Sequence, residues 1–206
     1  GQIKNHENSA QLIFPHDDDD VGEEFAGYLL RLANQYMDYV ESDAVTDRKG
    51  EEVNRSVTGN EKKYNPKMKS MWVNRSYAGD YNPIHDHGVK TEAGLSGILW
   101  LKVPSCIKSV TGDDDAKQGL TNASGLCDGW TQLIWGTTTR KDVLQLRPVT
   151  ESYEQPIAGR LIIFPNWLKH QVFPFFGEGE RRSLAVNWNI FDTKKEIEDH
   201  LNGENQ

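Results

Sequence analysis

The chain has 206 residues, enough for one domain with a sizeable core, and 31 acidic against 23 basic side chains give it a formal net charge of −8. That balance argues against nucleic-acid phosphate as the main partner, since phosphate binders carry basic patches. No apolar run approaches the ~20 residues of a membrane-spanning helix, and no signal-peptide pattern is read at the start, so a cytoplasmic protein is expected. The two cysteines, Cys106 and Cys127, read as free thiols.

In chain order, Leu12 to Pro15 reads as a short edge strand. Asp17 to Asp20 is a run of carboxylates suited to a helix N-terminus. Val21, Phe25, Tyr28, Leu29, Leu32 and Tyr36 then recur at spacings of three and four. They predict an amphipathic helix to about residue 40. Residues 41–67 are charged and turn-rich, and a long loop is expected there. From Lys69 the pattern is β, with Trp72, Asn74 and Ser76 alternating with Val73 and Arg75. Gly79-Asp80 signals a turn into a strand bearing His85.

Leu95 to Val103 reads as a strand that Pro104 ends, and 105–125 as a long loop. Further strands are expected over 129–136, 143–148, 160–164 and 167–173. Gly177 to Glu180 reads as a hairpin turn before a last strand, Arg181 to Ile190. The tail from Thr193 has capping-box spacing and an Ile197/Leu201 pair, which predict a short C-terminal helix. No repeat or linker divides the chain. The expectation is one domain over 1–206, mainly β, of jelly-roll type. Residues 1–68 would be helical and loop padding, and 69–192 the β core.

His85 and His87 are two apart, so on a strand both imidazoles face the same way and Asp86 faces the other. They form half of a metal site. His170 is the best candidate for a third ligand. Neutral imidazoles suit iron, zinc, copper or nickel. A carboxylate usually completes an oxygenase triad, so either the site has three histidines or Asp86 reaches round through a distorted strand.

On the last strand, Arg181, Ser183, Ala185, Asn187 and Asn189 share one face. Arg182, Leu184, Val186, Trp188 and Ile190 share the other, the one to bury against the helix. Arg181 and Ser183 together can clamp a carboxylate. Asn187 reads either as a cosubstrate ligand or as a satisfied core amide. His6, His16 and His200 read as surface residues. Trp72, Trp100, Trp130, Trp135 and Trp188 read as core.

These motifs resemble the 2-oxoglutarate- and Fe(II)-dependent oxygenases of the small phage- and bacteria-borne type. The stretches that carry the resemblance are Asp80 to Gly88, Leu95-Ser96-Gly97, Gly159 to Pro165, His170 to Phe175, and Arg181-x-Ser-x-Ala-x-Asn187. They cover about residues 70–192. The resemblance implies a double-stranded β-helix, with iron on His85, His87 and His170. It implies 2-oxoglutarate chelating the metal, its far carboxylate on Arg181 and Ser183, and O2 as co-reactant. The reaction implied is hydroxylation of a C–H bond on a small-molecule or peptide substrate, peptidyl or amino-acid by analogy. A phage gene would put the protein in the host cytoplasm, and an exposed sheet edge leaves room for a homodimer. Two other readings compete. One is a cupin-like three-histidine metalloenzyme without 2-oxoglutarate. The other is a non-catalytic jelly-roll binding or structural module.

Overall fold

The structure is a computed structural model and describes residues 7–14, 20–41, 44–46, 52–54, 64–88, 93–107, 127–136 and 150–192. The strands are β1 (Ala10–Ile13), β2 (Ala44–Thr46), β3 (Glu52–Asn54), β4 (Tyr64–Ser76), β5 (Asn82–His85) and β6 (Gly94–Lys102). They continue with β7 (Thr131–Ile134), β8 (Glu151–Glu154), β9 (Leu161–Pro165), β10 (Lys169–Val172) and β11 (Arg181–Asp192). Among the described residues there is one helix, α1, at Asp20–Glu41. Two antiparallel sheets form a jelly roll. The larger has the order β1-β4-β11-β6-β9 and the smaller β5-β10-β7-β8, while β2 and β3 pair separately.

Alternation along β11 sorts its side chains between two compartments. Leu184, Val186 and Trp188 point to the outer face, where Met71 of β4 joins them under α1. Arg181, Ser183, Ala185 and Asn187 line a cavity on the inner face. Between the sheets, Ile98, Trp100 and Phe164 pack on Leu133 and Leu168. Each large apolar side chain buried this way contributes roughly 1.5–3 kcal/mol.

The buried stripe of α1 runs through Ala26, Leu29, Ala33 and Met37, and Tyr28 is 49% exposed, contrary to the periodic reading. Small residues let the helix lie close to the sheet, so the line of contact follows the alanines rather than the largest rings. Gly97 serves the same packing from the sheet side. A Cβ there would lie 2.9 Å from Val186 Cγ1 and 3.0 Å from Trp188 Cη2.

Other expectations are corrected. β4 starts at Tyr64, inside the segment read as loop, and β2 and β3 also fall in that segment. The long partner β11 explains the extra length of β4, since its pairing with β4 runs from Arg181↔Ser76 to Asp192↔Tyr64. Pairing overrides a polar, turn-like composition. β8, a Glu-Ser-Tyr-Glu strand, was not anticipated. Gly177 to Glu180 is not a hairpin turn, because β10 belongs to the smaller sheet and β11 to the larger. The turn crosses between sheets, with Gly177 and Gly179 at positive φ. Trp135 is 45% exposed rather than core. The expected strand at 143–148, the C-terminal helix, the carboxylates before Asp20, and His6, His16 and His200 lie outside the described residues. Among the described residues no helix is long and apolar enough to cross a membrane. Cys106 and Cys127 are both free thiols.

Candidate metal centre and anion clamp

His85 and His170 meet because β5 pairs with β10 and the two residues are direct register partners. The next pair is Val172↔Asn82, so β5 spends three residues where β10 spends two. This bulge falls at Pro83-Ile84, on an edge strand, where a residue without an N–H is tolerated. It reverses the local alternation, so that Asn82 and His85 both line the cavity. From there the alternation is regular. Ile84 and Asp86 are exposed, while His85 and His87 turn inward. His87 lies beyond the end of β5, and its backbone N–H bonds to Asn166 O at 2.9 Å.

The three rings converge. Centroids are 4.2 Å apart for His85 and His170, and 5.1 Å for each pair that includes His87. Their ligand atoms all lie within 4.8 Å of one another, close enough to hold one metal ion. His85 Nδ1 is 2.7 Å from Pro83 O, and His170 Nδ1 is 3.1 Å from Leu168 O. A neutral ring that donates from Nδ1 keeps its Nε2 lone pair for a metal. Burial pushes His87 down to about 4, aided by its neighbour His85. Burial likewise pushes His170 down to about 4. Both rings are therefore neutral at physiological pH, as ligation requires. Asp86 does not belong to this cluster.

The second feature is a buried cation. Arg181 is 2% exposed. Its one hydrogen bond of note runs from Nη1 to Ser183 Oγ, at 3.5 Å. Among the described residues its Nε and Nη2 have no hydrogen-bond partner. Burial pushes the guanidinium down to about 10, so it stays charged at neutral pH. Two unmatched charged donors inside a cavity call for an anion, and a carboxylate fits the guanidinium fork. Asn187 also lines the cavity. Its Oδ1 accepts from Ser96 Oγ at 2.8 Å, which leaves the NH2 group to offer a ligand.

The cavity, of about 580 Å3, holds both features. Register arranges the sheet wall in rows. Arg181 sits opposite Ser76, Ser183 opposite Asn74, Ala185 opposite Trp72, and Asn187 opposite Ser70. On the far side of β4, β1 brings Gln11 beside Asn74 and Ile13 beside Trp72. Trp72, read from sequence as core, faces His87 with centroids 5.8 Å apart. Sequence reasoning did not assign Ser70, Asn74, Ser76, Asn82 or Gln11 to the site. The alternation of Trp72, Asn74 and Ser76 was visible. Only the strand order reveals that this face looks into the cavity.

A family model described as "Putative 2OG-Fe(II) oxygenase" matches residues 70–187, more than half of the chain. The chain belongs to this family, whose reagents are Fe(II) and 2-oxoglutarate. No curated protein matches the sequence. Among solved structures, a Pseudomonas putida prolyl-4-hydroxylase is 14% identical, with a TM-score of 0.46 over 88% of this chain and 71% of that one. A Trichoplax adhaerens prolyl hydroxylase in complex with a hypoxia inducible factor peptide fragment is 14% identical, with a TM-score of 0.49 over 93% and 66%. HygX from Streptomyces hygroscopicus, with nickel and 2-oxoglutarate bound, is 10% identical, with a TM-score of 0.46 over 92% and 73%. The chain thus spans about two thirds to three quarters of the length of these proteins.

Proposed function

We propose that the protein is a 2-oxoglutarate- and Fe(II)-dependent dioxygenase that hydroxylates a C–H bond of a small-molecule or peptide substrate. His85, His87 and His170 hold the iron. Arg181 and Ser183 hold the far carboxylate of 2-oxoglutarate, and the Asn187 NH2 group contributes to the same ligand. The observation that carries the reading is the buried Arg181, with two guanidinium nitrogens unmatched among the described residues, in the same cavity as three convergent imidazoles.

Bound iron and 2-oxoglutarate would supply the oxidation: with O2 and substrate R–H they yield succinate, CO2 and R–OH. The chain's own residues supply geometry. Backbone carbonyls at Pro83 and Leu168 fix two imidazole orientations. Arg181 fixes the direction in which a dicarboxylic acid enters. Ile98, Phe164 and Trp72 give the walls an apolar share that limits water. The cavity volume is in the range that accepts a drug-sized molecule, so it leaves room beside a five-carbon diacid.

Equilibrium dialysis of labelled 2-oxoglutarate against Mn(II)-loaded protein tests the reading. One equivalent should bind, and Arg181→Met should weaken binding by about 30-fold or more, as loss of a buried charged partner does. Absence of binding in the metal-loaded wild type would leave the cupin-like reading, which the all-imidazole ligand set favours.

A further inference from the structure

The cavity has two walls of opposite hydrogen-bonding character. The β11 wall donates, through the Ser183 hydroxyl and through Arg181, whose Nε and Nη2 are unmatched among the described residues. The wall that runs from β4 through the turn at Asp80 into β5 accepts. Asn74 Oδ1 and Asn82 Oδ1 are buried and have no hydrogen-bond partner among the described residues. Both residues line the cavity. The Asp80 carboxylate stands between them in the chain and lines it too, held by the Ser9 hydroxyl and by the Tyr77 N–H at 2.9 Å. Asn74 follows Trp72 on the same face of β4, about 7 Å further along. The Trp72 ring in turn faces His87, with centroids 5.8 Å apart. Asn82 precedes His85 on β5 and turns into the cavity with it. A buried acceptor left unmatched costs its full desolvation, so two of them in one wall call for a ligand that donates.

2-Oxoglutarate is not that ligand. At neutral pH it is two carboxylates and a ketone, and every polar atom in it is an acceptor. It matches the β11 wall and leaves the β4–β5 wall unmatched. We infer that Asn74 and Asn82 form the subsite for the second substrate, and that this substrate brings N–H or O–H groups, at least two donor hydrogens in all, to the part that enters beside the metal. The inference rests on the proposed function and gives it a substrate class. Amides, amines and polyols carry paired donors: a primary amide offers two, an ammonium three and each hydroxyl one. Hydrocarbons, ethers and esters carry none, and bound here they would leave both asparagine oxygens buried and unmatched.

Saturation-transfer NMR on protein loaded with Zn(II) and 2-oxoglutarate tests the wall with probes matched in size. Butyramide, 1,3-butanediol and pentylammonium carry donors, and methyl propionate carries acceptors alone. At least one donor probe should bind about tenfold tighter than methyl propionate, the factor of one good hydrogen bond. Whichever binds tightest tells amide, polyol and amine substrates apart. Asn74→Leu and Asn82→Leu should each weaken that probe by about tenfold and keep 2-oxoglutarate affinity within about threefold of wild type. Asn74→Asp, which keeps the acceptor and removes the NH2 group, should hold the probe at least as tightly as wild type. A loss of the probe there means that the amide donates, and overturns the inference. Equal binding of all probes, or binding of none, overturns it with the proposed function intact. So does a 2-oxoglutarate affinity that falls along with probe affinity in the Leu variants, since the amides would then serve the cosubstrate. If the Zn(II)-loaded wild type takes up no 2-oxoglutarate, the proposed function and the inference fall together.

Discussion

His170 sits directly across from His85 in the pairing of β10 with β5, and their rings approach to 4.2 Å although 85 positions separate them in sequence. Strand pairing in the smaller sheet thus brings together two of the three proposed metal ligands. His170→Ala should remove one ligand and leave the pairing intact. Metal affinity should fall by more than about 100-fold, beyond what loss of an outer-shell partner costs. Metal analysis after gel filtration, alongside an unchanged far-ultraviolet circular dichroism spectrum, checks this.

Asp86 is exposed on the face opposite His85 and His87. Asp86→Asn should therefore change metal affinity by no more than about threefold, the effect of one screened surface charge. A loss as large as that of His170→Ala would make Asp86 a ligand.

The guanidinium of Arg181 is buried with its Nε and Nη2 unpartnered among the described residues, which costs stability until an anion arrives. Arg181→Met should raise the melting temperature of the ligand-free protein by several degrees, about 1–2 kcal/mol, while abolishing stabilisation by 2-oxoglutarate. Thermal melts with and without 2-oxoglutarate show both effects. A variant less stable than wild type would mean that the cation has a structural role.

The histidines predict an acid limit. His87 and His170 sit near 4 when folded, against 6.5 as the ordinary value. The unfolded chain then binds more protons between those values. Stability of the metal-free protein is full above about pH 6.5 and is lost as pH falls through about 4. Each ring accounts for up to about 3 kcal/mol. Urea titrations between pH 8 and 4 should show the midpoint falling on the acid side, and His170→Ala should flatten that slope.

Gly97 lies against Val186 and Trp188 under α1. Gly97→Ala should destabilise by about 1–3 kcal/mol through overpacking. Chemical denaturation measures it, and a neutral result would mean that Trp188 has space to shift.

Much of this was legible in the sequence because alternation is a local signal. The parity of Arg181 to Ile190 sorts the cavity face from the helix face, and it holds over Arg181 to Trp188. The His85-x-His87 pair also turns inward together. What stayed hidden depends on distant partners. Tyr64 to Met68 is a strand because β11 is long enough to pair with it. Trp72 and Asn74 face the cavity because β4 neighbours β11, which no local pattern reveals. Asn82 breaks parity with His85 through a bulge, and a one-residue insertion leaves no period to read. The helix stripe was misplaced at Tyr28 because periodicity weights large side chains, whereas close packing selected Ala26 and Ala33.

The central claim is that one cavity holds a metal on three histidines and a dicarboxylate on Arg181. Anaerobic Fe(II)-loaded protein titrated with 2-oxoglutarate tests it most directly, through the weak visible charge-transfer band of the metal chelate. The account predicts a band that saturates at one equivalent in wild type, weakens sharply in Arg181→Ala and is absent in His170→Ala. Bound iron with no band at any concentration of 2-oxoglutarate would contradict it.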